Sequence, residues 1–252
     1  MATRYYIGAK HLRGEIVSYA KRFDLLEVAT GSPTRTDGGS AGASVPSLAT
    51  LKRWRKAVPP HFAFTVVAGP ELSALRPGEA LDKGHALVAA AADVLEARSI
   101  LLATPAEVTP SAVWRERLAR VVERFRRDVT NLVWEPRGVW EIEDAAVLSR
   151  KLGIVLAVDA ARDPVPAGAV SYSRLRAMGE TRSFGPSALE RIVHAIGARR
   201  DAFVILETDG ALAECKVLRR LAQAPDTRDR KNATRVVRPR GGSVKVRDDE
   251  QE

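Results

Sequence analysis

The chain has 252 residues, 45% of them hydrophobic, so it contains enough apolar material for a folded core. That length suits one barrel-sized domain or two small domains. No apolar run approaches the roughly 20 residues that a membrane-spanning helix needs, and the first ten residues lack the layout of a signal peptide. The single cysteine, Cys215, excludes an internal disulfide. These features predict a cytoplasmic protein that does not enter a membrane.

The formal net charge of +9 suggests a polyanionic partner, and this charge is distributed unevenly. Residues 228–247 contain eight basic residues and one acidic residue, and the final five residues contain four acidic ones. Hydrophobic periodicity stops after Gln223. We therefore predict a basic-then-acidic disordered tail over 224–252, and nucleic acid as one candidate partner.

Eight short apolar runs alternate with longer amphipathic stretches before that tail. Such continuous runs are typical of parallel strands that are buried on both faces. The predicted strands are residues 5–8, 25–29, 62–67, 100–103, 131–135, 154–158, 170–174 and 203–206. Eight parallel strands with mostly helical crossovers predict an α/β fold, a TIM-type (β/α)8 barrel, over residues 1–223.

Two of the predicted helices have recognisable ends. The Thr-Pro-Ser sequence at 109–111 precedes an apolar stripe that runs from Trp114 to Phe125. A second helix is predicted over 141–152, because Gly153 follows it in the position of a left-handed stop residue.

The later crossovers give further expectations. Ser187 and Glu190 have the spacing of a capping box, and Asp209 is placed to cap the last helix. The sixth crossover, residues 159–169, is too short and too rich in Pro and Gly for a full helix. We predict an irregular loop there.

In a TIM-type barrel, ligands meet the carboxyl ends of the strands, where the βα loops gather. Polar residues at or just beyond the predicted strand ends are therefore the candidates for a binding site. They are Lys10, His11, Glu27, Glu135, Arg137, Asp159, Arg174, Arg176, Glu207 and Asp209.

Two glutamates among these candidates are suited to catalysis. Glu135 ends its strand and Arg137 follows two residues later, so both side chains are expected to point the same way. A carboxylate at a barrel mouth can act as general base, and a neighbouring arginine keeps it ionised. Glu27 lies inside an apolar run and needs a partner such as Arg137 or Arg174, since an unpaired buried charge is expensive. A purely structural ion pair fits the sequence equally well.

Three arginines, Arg174, Arg176 and Arg182, lie on or after the seventh predicted strand, ahead of a helix that begins near Pro186. Barrels often bind phosphate in this region, because arginines and backbone N–H groups meet there. Solvated loop arginines are the alternative, notably for Arg182. Arg174 is the better candidate because it lies on the strand itself.

No sequence motif indicates a particular cofactor. Only His11 among the four histidines is placed to reach the mouth, and no spacing typical of a metal site is present. An all-carboxylate Mg²⁺ or Mn²⁺ site remains an alternative, with ligands from Glu27, Glu135, Asp159 and Glu207.

With the strands placed, several segments resemble the YecE-like family (domain of unknown function 72, DUF72). The clearest is the sequence Glu-Pro-Arg-Gly-Val-Trp at 135–140, which is similar to the family's Glu-x-Arg…Trp motif after the fifth strand. Tyr172 and Arg174 fit the family's seventh strand, and Asp159 follows the sixth. The resemblance implies a TIM-type barrel with a site at its mouth, and it implies no established reaction.

The sequence departs from the family pattern at several polar positions. The family's opening Gly-Thr-Ser-Gly-Trp is replaced by residues 8–12, and Glu27 lacks the aromatic pair that follows it in the family. Ala103 stands in place of a glutamine, and Thr208 in place of an asparagine. The arginine-bearing mouth is thus retained better than the other polar groups, which implies changed specificity or lost activity.

Three functions fit these residues. The first is a barrel that binds or hydrolyses a phosphorylated small molecule or a nucleic-acid substrate, with Glu135 and Glu27 as catalytic residues. Its substrate-binding residues would be Arg137, Trp140, Asp159, Tyr172, Arg174, Arg176, Glu207 and Asp209. The second is a non-catalytic module that binds nucleic acid or an acidic protein. The third is a carbohydrate-active enzyme with paired carboxylates such as Glu135 and Glu207.

Overall fold

The computed structural model describes residues 3–12, 14–31, 45–125, 131–178 and 182–223. The strands are β1 (Arg4–Ala9), β2 (Leu25–Ala29), β3 (Ala63–Val67), β4 (Ser99–Thr104), β5 (Asn131–Pro136), β6 (Val155–Val158), β7 (Val170–Arg176) and β8 (Asp201–Glu207). The helices are α1 (Ile16–Ala20), α2 (Leu48–Ala57), α3 (Pro70–Ser73), α4 (Glu79–Leu95), α5 (Ala112–Arg124), α6 (Ile142–Leu152), α7 (Pro186–Ile196) and α8 (Ala211–Gln223). The tail predicted over 224–252 lies outside the described residues.

The eight strands are parallel and follow one another around a nearly closed barrel. Their hydrogen-bonded order is β1-β8-β7-β6-β5-β4-β3-β2. The register places Arg4 opposite Asp201 where β1 meets β8, and Glu27 opposite Thr65 where β2 meets β3. The predicted TIM-type barrel is confirmed.

β1 and β2 meet at the seam of the barrel, where a side chain adds hydrogen bonds between the two strands. A Cβ atom on Gly8 would lie 2.3 Å from the Leu25 carbonyl oxygen, so only glycine permits this approach. The buried Tyr19 hydroxyl accepts a hydrogen bond from the Ala9 N–H at 2.8 Å and donates to the Leu25 carbonyl at 2.9 Å. The phenol thus bridges the two strands.

Apolar side chains fill the barrel on both faces of the sheet. The larger cluster lies between the strands and the helices, and a smaller one fills the interior. The interior cluster comprises Tyr6, Leu25, Ala63, Leu101, Val133, Ala157, Tyr172, Phe203 and Ile205. Nearer the carboxyl ends, alternate strand residues continue this interior face with polar groups, which include Glu27, Glu135, Arg174 and Glu207.

All eight strands lie within two residues of their predicted bounds. The sixth crossover contains no helix among residues 159–169, as predicted. Its first turn is held by the Asp159 carbonyl, which accepts hydrogen bonds from the N–H groups of Arg162 and Asp163 at 2.8 Å.

Helix ends were predicted less well than strands. α6 ends at Gly153 in the left-handed conformation, with φ of 69°, as expected. The capping box at Ser187 is wrong, because α7 is capped by Gly185 and Ser187 lies inside its first turn. Asp209 does not cap α8, since the carbonyl of Gly210 accepts the first helical hydrogen bonds. Of the described helices, none has the length and apolar character needed to cross a membrane.

Candidate functional site

Carboxylates from three other strands enclose the guanidinium group of Arg174 on β7. Its Nη2 lies 3.0 Å from Glu27 Oε2 on β2, and its Nη1 lies 2.7 Å from Glu135 Oε2 on β5. Its Nε lies 3.2 Å from Glu207 Oε1 on β8. At most 8% of any of these four side chains is exposed, so salt screens the network little.

Three further cations cover this network on its solvent side. The Arg176 guanidinium contacts Glu135 through Nη2 and lies 3.3 Å from Glu207 Oε2 through Nε. Lys10 Nζ lies 3.0 Å from Glu207 Oε2, and Arg137 Nη2 lies 3.9 Å from Glu135 Oε2. The exposed fractions of Arg176, Arg137 and Lys10 are 43%, 34% and 25%, and we call these three residues the rim cations.

One contact inside the network is close but misaligned. Arg174 Nε and Glu207 Oε1 are within ion-pair distance, yet neither buried atom makes a hydrogen bond within the described part of the chain. A buried polar atom without a hydrogen bond costs free energy. The mouth therefore retains one unused donor and one unused acceptor.

The three glutamates differ in their acidity. Burial raises the pKa of Glu27, and this effect outweighs the opposing effects of Arg174 and of the Tyr172 hydroxyl, which donates to Glu27 Oε1 at 2.7 Å. Burial also acts to raise the pKa of Glu135 and Glu207, but the arginines outweigh it, so both pKa values lie below the usual range. Glu135 and Glu207 are therefore carboxylates at neutral pH, while Glu27 holds a proton more readily.

The structure brings six predicted site residues into one network. They are Glu27, Glu135, Arg137, Arg174, Arg176 and Glu207. Asp159 lies beside it and accepts hydrogen bonds from the backbone N–H groups of Ala161 at 3.1 Å and Arg176 at 3.3 Å. Asp159 thus shapes the loop after β6 and holds β7.

Three predicted substrate-binding residues are placed where they do not fit that role. The Tyr172 ring is fully buried, so it cannot stack on a base. Trp140 donates its indole N–H to the Val108 carbonyl at 2.6 Å and packs edge-on against Trp134, outside the network. Asp209 borders a shallow depression along α8 instead. Short-range sequence patterns place a residue near a strand end, but they do not predict which neighbours contact its ring or carboxylate.

Glu214 on α8 was not predicted, although it organises the loops at the mouth. Its buried carboxylate accepts a hydrogen bond from the Phe184 N–H at 2.6 Å and another from the Thr208 hydroxyl. These contacts tie the loops after β7 and β8 to one helix. An acidic residue in the first turn of an amphipathic helix is normally exposed, so the sequence carried no signal of this role.

The described residues contain no group of three or more His, Cys, Asp or Glu that could hold a metal ion. Glu27, Glu135 and Glu207 direct their oxygens at Arg174, so a divalent cation would have to displace the guanidinium group. The Mg²⁺ or Mn²⁺ alternative therefore gains no support from this arrangement.

Two surface depressions among the described residues lie away from the network. One, of about 220 Å³, borders the β6–β7 connection at the opposite end of the barrel. The other lies along the exposed face of α8. Access to the network from solvent runs past the rim cations, which are its most exposed members.

These features define a TIM-type barrel with a charged, hydrogen-bonded mouth. A DUF72 family protein from Enterococcus faecalis shares the fold, with 13% identity and a TM-score of 0.66 over 88% of this chain and 96% of that chain. A DUF72 family protein from Thermotoga maritima has 15% identity and a TM-score of 0.65 over 88% and 100%. An L-ribulose 3-epimerase has 13% identity and a TM-score of 0.55 over 95% and 100%.

No protein-family model matches the chain, and no curated protein matches it. The structural likenesses support the DUF72-like relationship that the sequence predicted. At this level of identity they show the fold and leave the chemistry to the residues of the mouth.

Proposed function

We propose that the mouth of the barrel binds a phosphorylated substrate through the rim cations and that Glu27 and Glu135 serve as its acid–base pair. The observation that carries this proposal is the excess of cations. Among the described residues, four positive side chains surround three carboxylates, and three of the four reach solvent. Arginines with exposed N–H groups are well suited to phosphate oxygens.

The opposite pKa shifts of Glu27 and Glu135 support the acid–base assignment. Both carboxylates bind the same guanidinium group, yet the pKa of Glu27 is raised and the pKa of Glu135 is lowered. Environments that push two neighbouring carboxyl groups apart in this way are typical of a general acid and a general base. Glu135 would accept a proton from the attacking water, and Glu27, in the fraction of molecules in which it is protonated, would donate its proton to the leaving oxygen.

A substrate phosphate would compete with Glu135 and Glu207 for Arg176. Because 43% of the Arg176 side chain is exposed, it can turn toward solvent more easily than Arg174. Its departure would uncover one oxygen of Glu135 for proton transfer. The buried Nε–H of Arg174 and the buried Oε1 of Glu207 make no hydrogen bond among the described residues, and they would become available only if the departure of Arg176 let water or substrate enter.

Binding can be tested by calorimetric titration of the full chain with sugar phosphates, nucleotides and inorganic phosphate. Arg176→Ala should weaken the binding of any ligand found by tenfold or more, while Arg191→Ala on the exposed face of α7 serves as the matched control. Ligands that bind both variants and the parent protein equally well would contradict a phosphate site at the mouth.

Catalysis can be tested with bis(p-nitrophenyl) phosphate. Glu135→Gln and Glu27→Gln should each lower the hydrolysis rate by at least a hundredfold while leaving phosphate binding in place. Phosphate binding without hydrolysis by the parent protein would favour a non-catalytic module. If deletion of residues 224–252 then removed the binding, the mouth would not be the binding site.

A carbohydrate-active enzyme based on Glu135 and Glu207 fits the geometry less well. Glycoside hydrolysis by two carboxyl groups requires one of them to be protonated. Arg174 and Arg176 lower the pKa of both groups, and Lys10 further lowers that of Glu207, which leaves this pair without an acid.

A further inference from the structure

A group of exposed basic side chains lies at the amino-terminal end of the barrel, opposite the mouth. The last turns of the helices and the αβ connections lie at this end. We call six of these exposed residues the basic face: Lys21, Arg22, Lys56, Arg150, Lys151 and Arg220.

The basic face follows the order of the strands around the barrel. Arg150 and Lys151 precede β6, Lys21 and Arg22 precede β2, and Lys56 comes before β3. Arg220 belongs to α8, which follows β8. Since β6, β7, β8 and β1 are consecutive neighbours and β2 flanks β1, the cations form an arc over more than half of the rim. An anion that contacts the whole arc must itself be extended.

Two acidic residues beside this arc, Asp24 and Asp201, are already paired with arginines outside the basic face. Asp201 lies 2.8 Å from Arg4 and 2.8 Å from Arg200, and Asp24 lies 2.8 Å from Arg219. Because of these contacts, Asp24 and Asp201 do not neutralise the charges of the basic face. Among the described residues, this arc therefore has a net positive formal charge.

Stabilisation of helix ends does not account for all of this charge. Basic residues in a last turn interact favourably with the helix dipole, but that effect falls off within one turn. Arg22 of the basic face follows α1 and its C-cap residue Lys21, so it lies outside the helix. Its charge is not explained by a place in a last helical turn.

The surroundings of the basic face favour nucleic acid over a membrane. The large hydrophobic residues that are exposed in the described chain, such as Val139, Met178 and Leu212, lie at the mouth or along helices and not in these connections. A membrane-binding surface would present apolar anchors beside its cations. In addition, no Phe, Tyr or Trp among the described residues is exposed, so unpaired bases would find no platform for stacking.

From these observations we infer that the basic face binds the phosphate backbone of double-stranded nucleic acid without reading its sequence. This interaction lies at the opposite end from the mouth and does not depend on the phosphate chemistry proposed there. Contacts to phosphate dominate such binding and make it strongly dependent on salt.

The test measures binding of the full chain to a fluorescent DNA duplex of about 20 base pairs by anisotropy over a range of salt concentrations. One variant carries Lys21→Gln, Arg22→Gln, Arg150→Gln and Lys151→Gln. The control variant carries Lys52→Gln, Arg53→Gln, Arg191→Gln and Lys216→Gln, which removes the same charge from exposed helix positions elsewhere. Melting curves verify that both variants remain folded.

The basic-face variant should bind the duplex about tenfold or more weakly, with a salt slope that falls by roughly 0.9 for each phosphate that the variant no longer neutralises. The control variant should bind like the parent protein. Equal binding by the two variants would overturn the inference, and so would absence of duplex binding by the parent. Binding to phosphatidylserine vesicles in place of the duplex would also overturn it, in favour of a membrane.

Discussion

Replacing Arg174 by methionine removes the one cation that Glu27, Glu135 and Glu207 share. Among the described residues, Glu135 and Glu207 would keep Arg176, whereas Glu27 would keep only the Tyr172 hydroxyl. Breaking a buried ion pair from one side costs about 3–5 kcal/mol, because it leaves an uncompensated charge. Since domains are stable by only about 5–15 kcal/mol, we expect a large loss of stability at pH 7.

The loss of stability should become smaller as the pH falls, because a Glu27 without Arg174 can bind a proton and become neutral. Its pKa is already raised in the folded state, and removal of Arg174 raises it further. The folded variant then binds a proton that the unfolded chain does not, so its stability rises as the pH falls from 7 toward about 5. The second substitution Glu27→Gln should recover part of the loss at pH 7.

Urea unfolding followed by tryptophan fluorescence measures these changes, since the Trp134 side chain is fully buried. Arg191→Met, on the exposed face of α7, is the control and should change stability by less than about 0.5 kcal/mol. If Arg174→Met cost less than about 1 kcal/mol, or cost as much at pH 5 as at pH 7, the network would not hold a buried, ionised Glu27.

Other parts of the structure give further expectations. Because Glu135 and Glu207 have lowered pKa values, they stabilise the folded parent protein above about pH 4.3. This stabilisation is lost as the pH falls through their folded pKa values, and an acid titration followed by circular dichroism would show the loss. Tyr19→Phe removes the hydroxyl that bridges β1 and β2 and should cost about 1–3 kcal/mol, with faster hydrogen exchange at the Ala9 amide. Gly138→Ala should cost about 1–3 kcal/mol in thermal unfolding, since Gly138 has φ of 84° and an added Cβ would lie 2.9 Å from Ala106 Cα.

The strands were predictable because burial on both faces leaves a signature in the sequence itself. A parallel strand such as β8, whose first six residues are all buried, must consist almost wholly of apolar residues. The lack of a helix in the β6–β7 connection, residues 159–169, was also predictable because that connection is short. Helix caps such as Gly185 were harder, since several nearby residues could cap and the backbone chooses among them.

The members of the network at the mouth were predictable, but their pairing was not. Each glutamate and arginine could be assigned to a strand end, and the barrel brings strand ends together. The choice of carboxylates that bind Arg174 depends on the strand register and on the direction of each side chain. Neither can be predicted from the local sequence. The same limit explains Tyr172, which was predicted to bind substrate from its position on β7 but whose ring packs in the interior cluster.

The arrangement of charge at the mouth separates two roles that the sequence treated as one. Arg174 is buried and engaged with three carboxylates, so its charge holds Glu27, Glu135 and Glu207 in place. Arg176 touches two of the same carboxylates but remains 43% exposed, so it can exchange a protein carboxylate for a phosphate. A guanidinium group sealed beneath packing organises a site, whereas one at its rim can bind a ligand. Substitution of Arg174 should therefore act mainly on stability, and substitution of Arg176 mainly on ligand affinity.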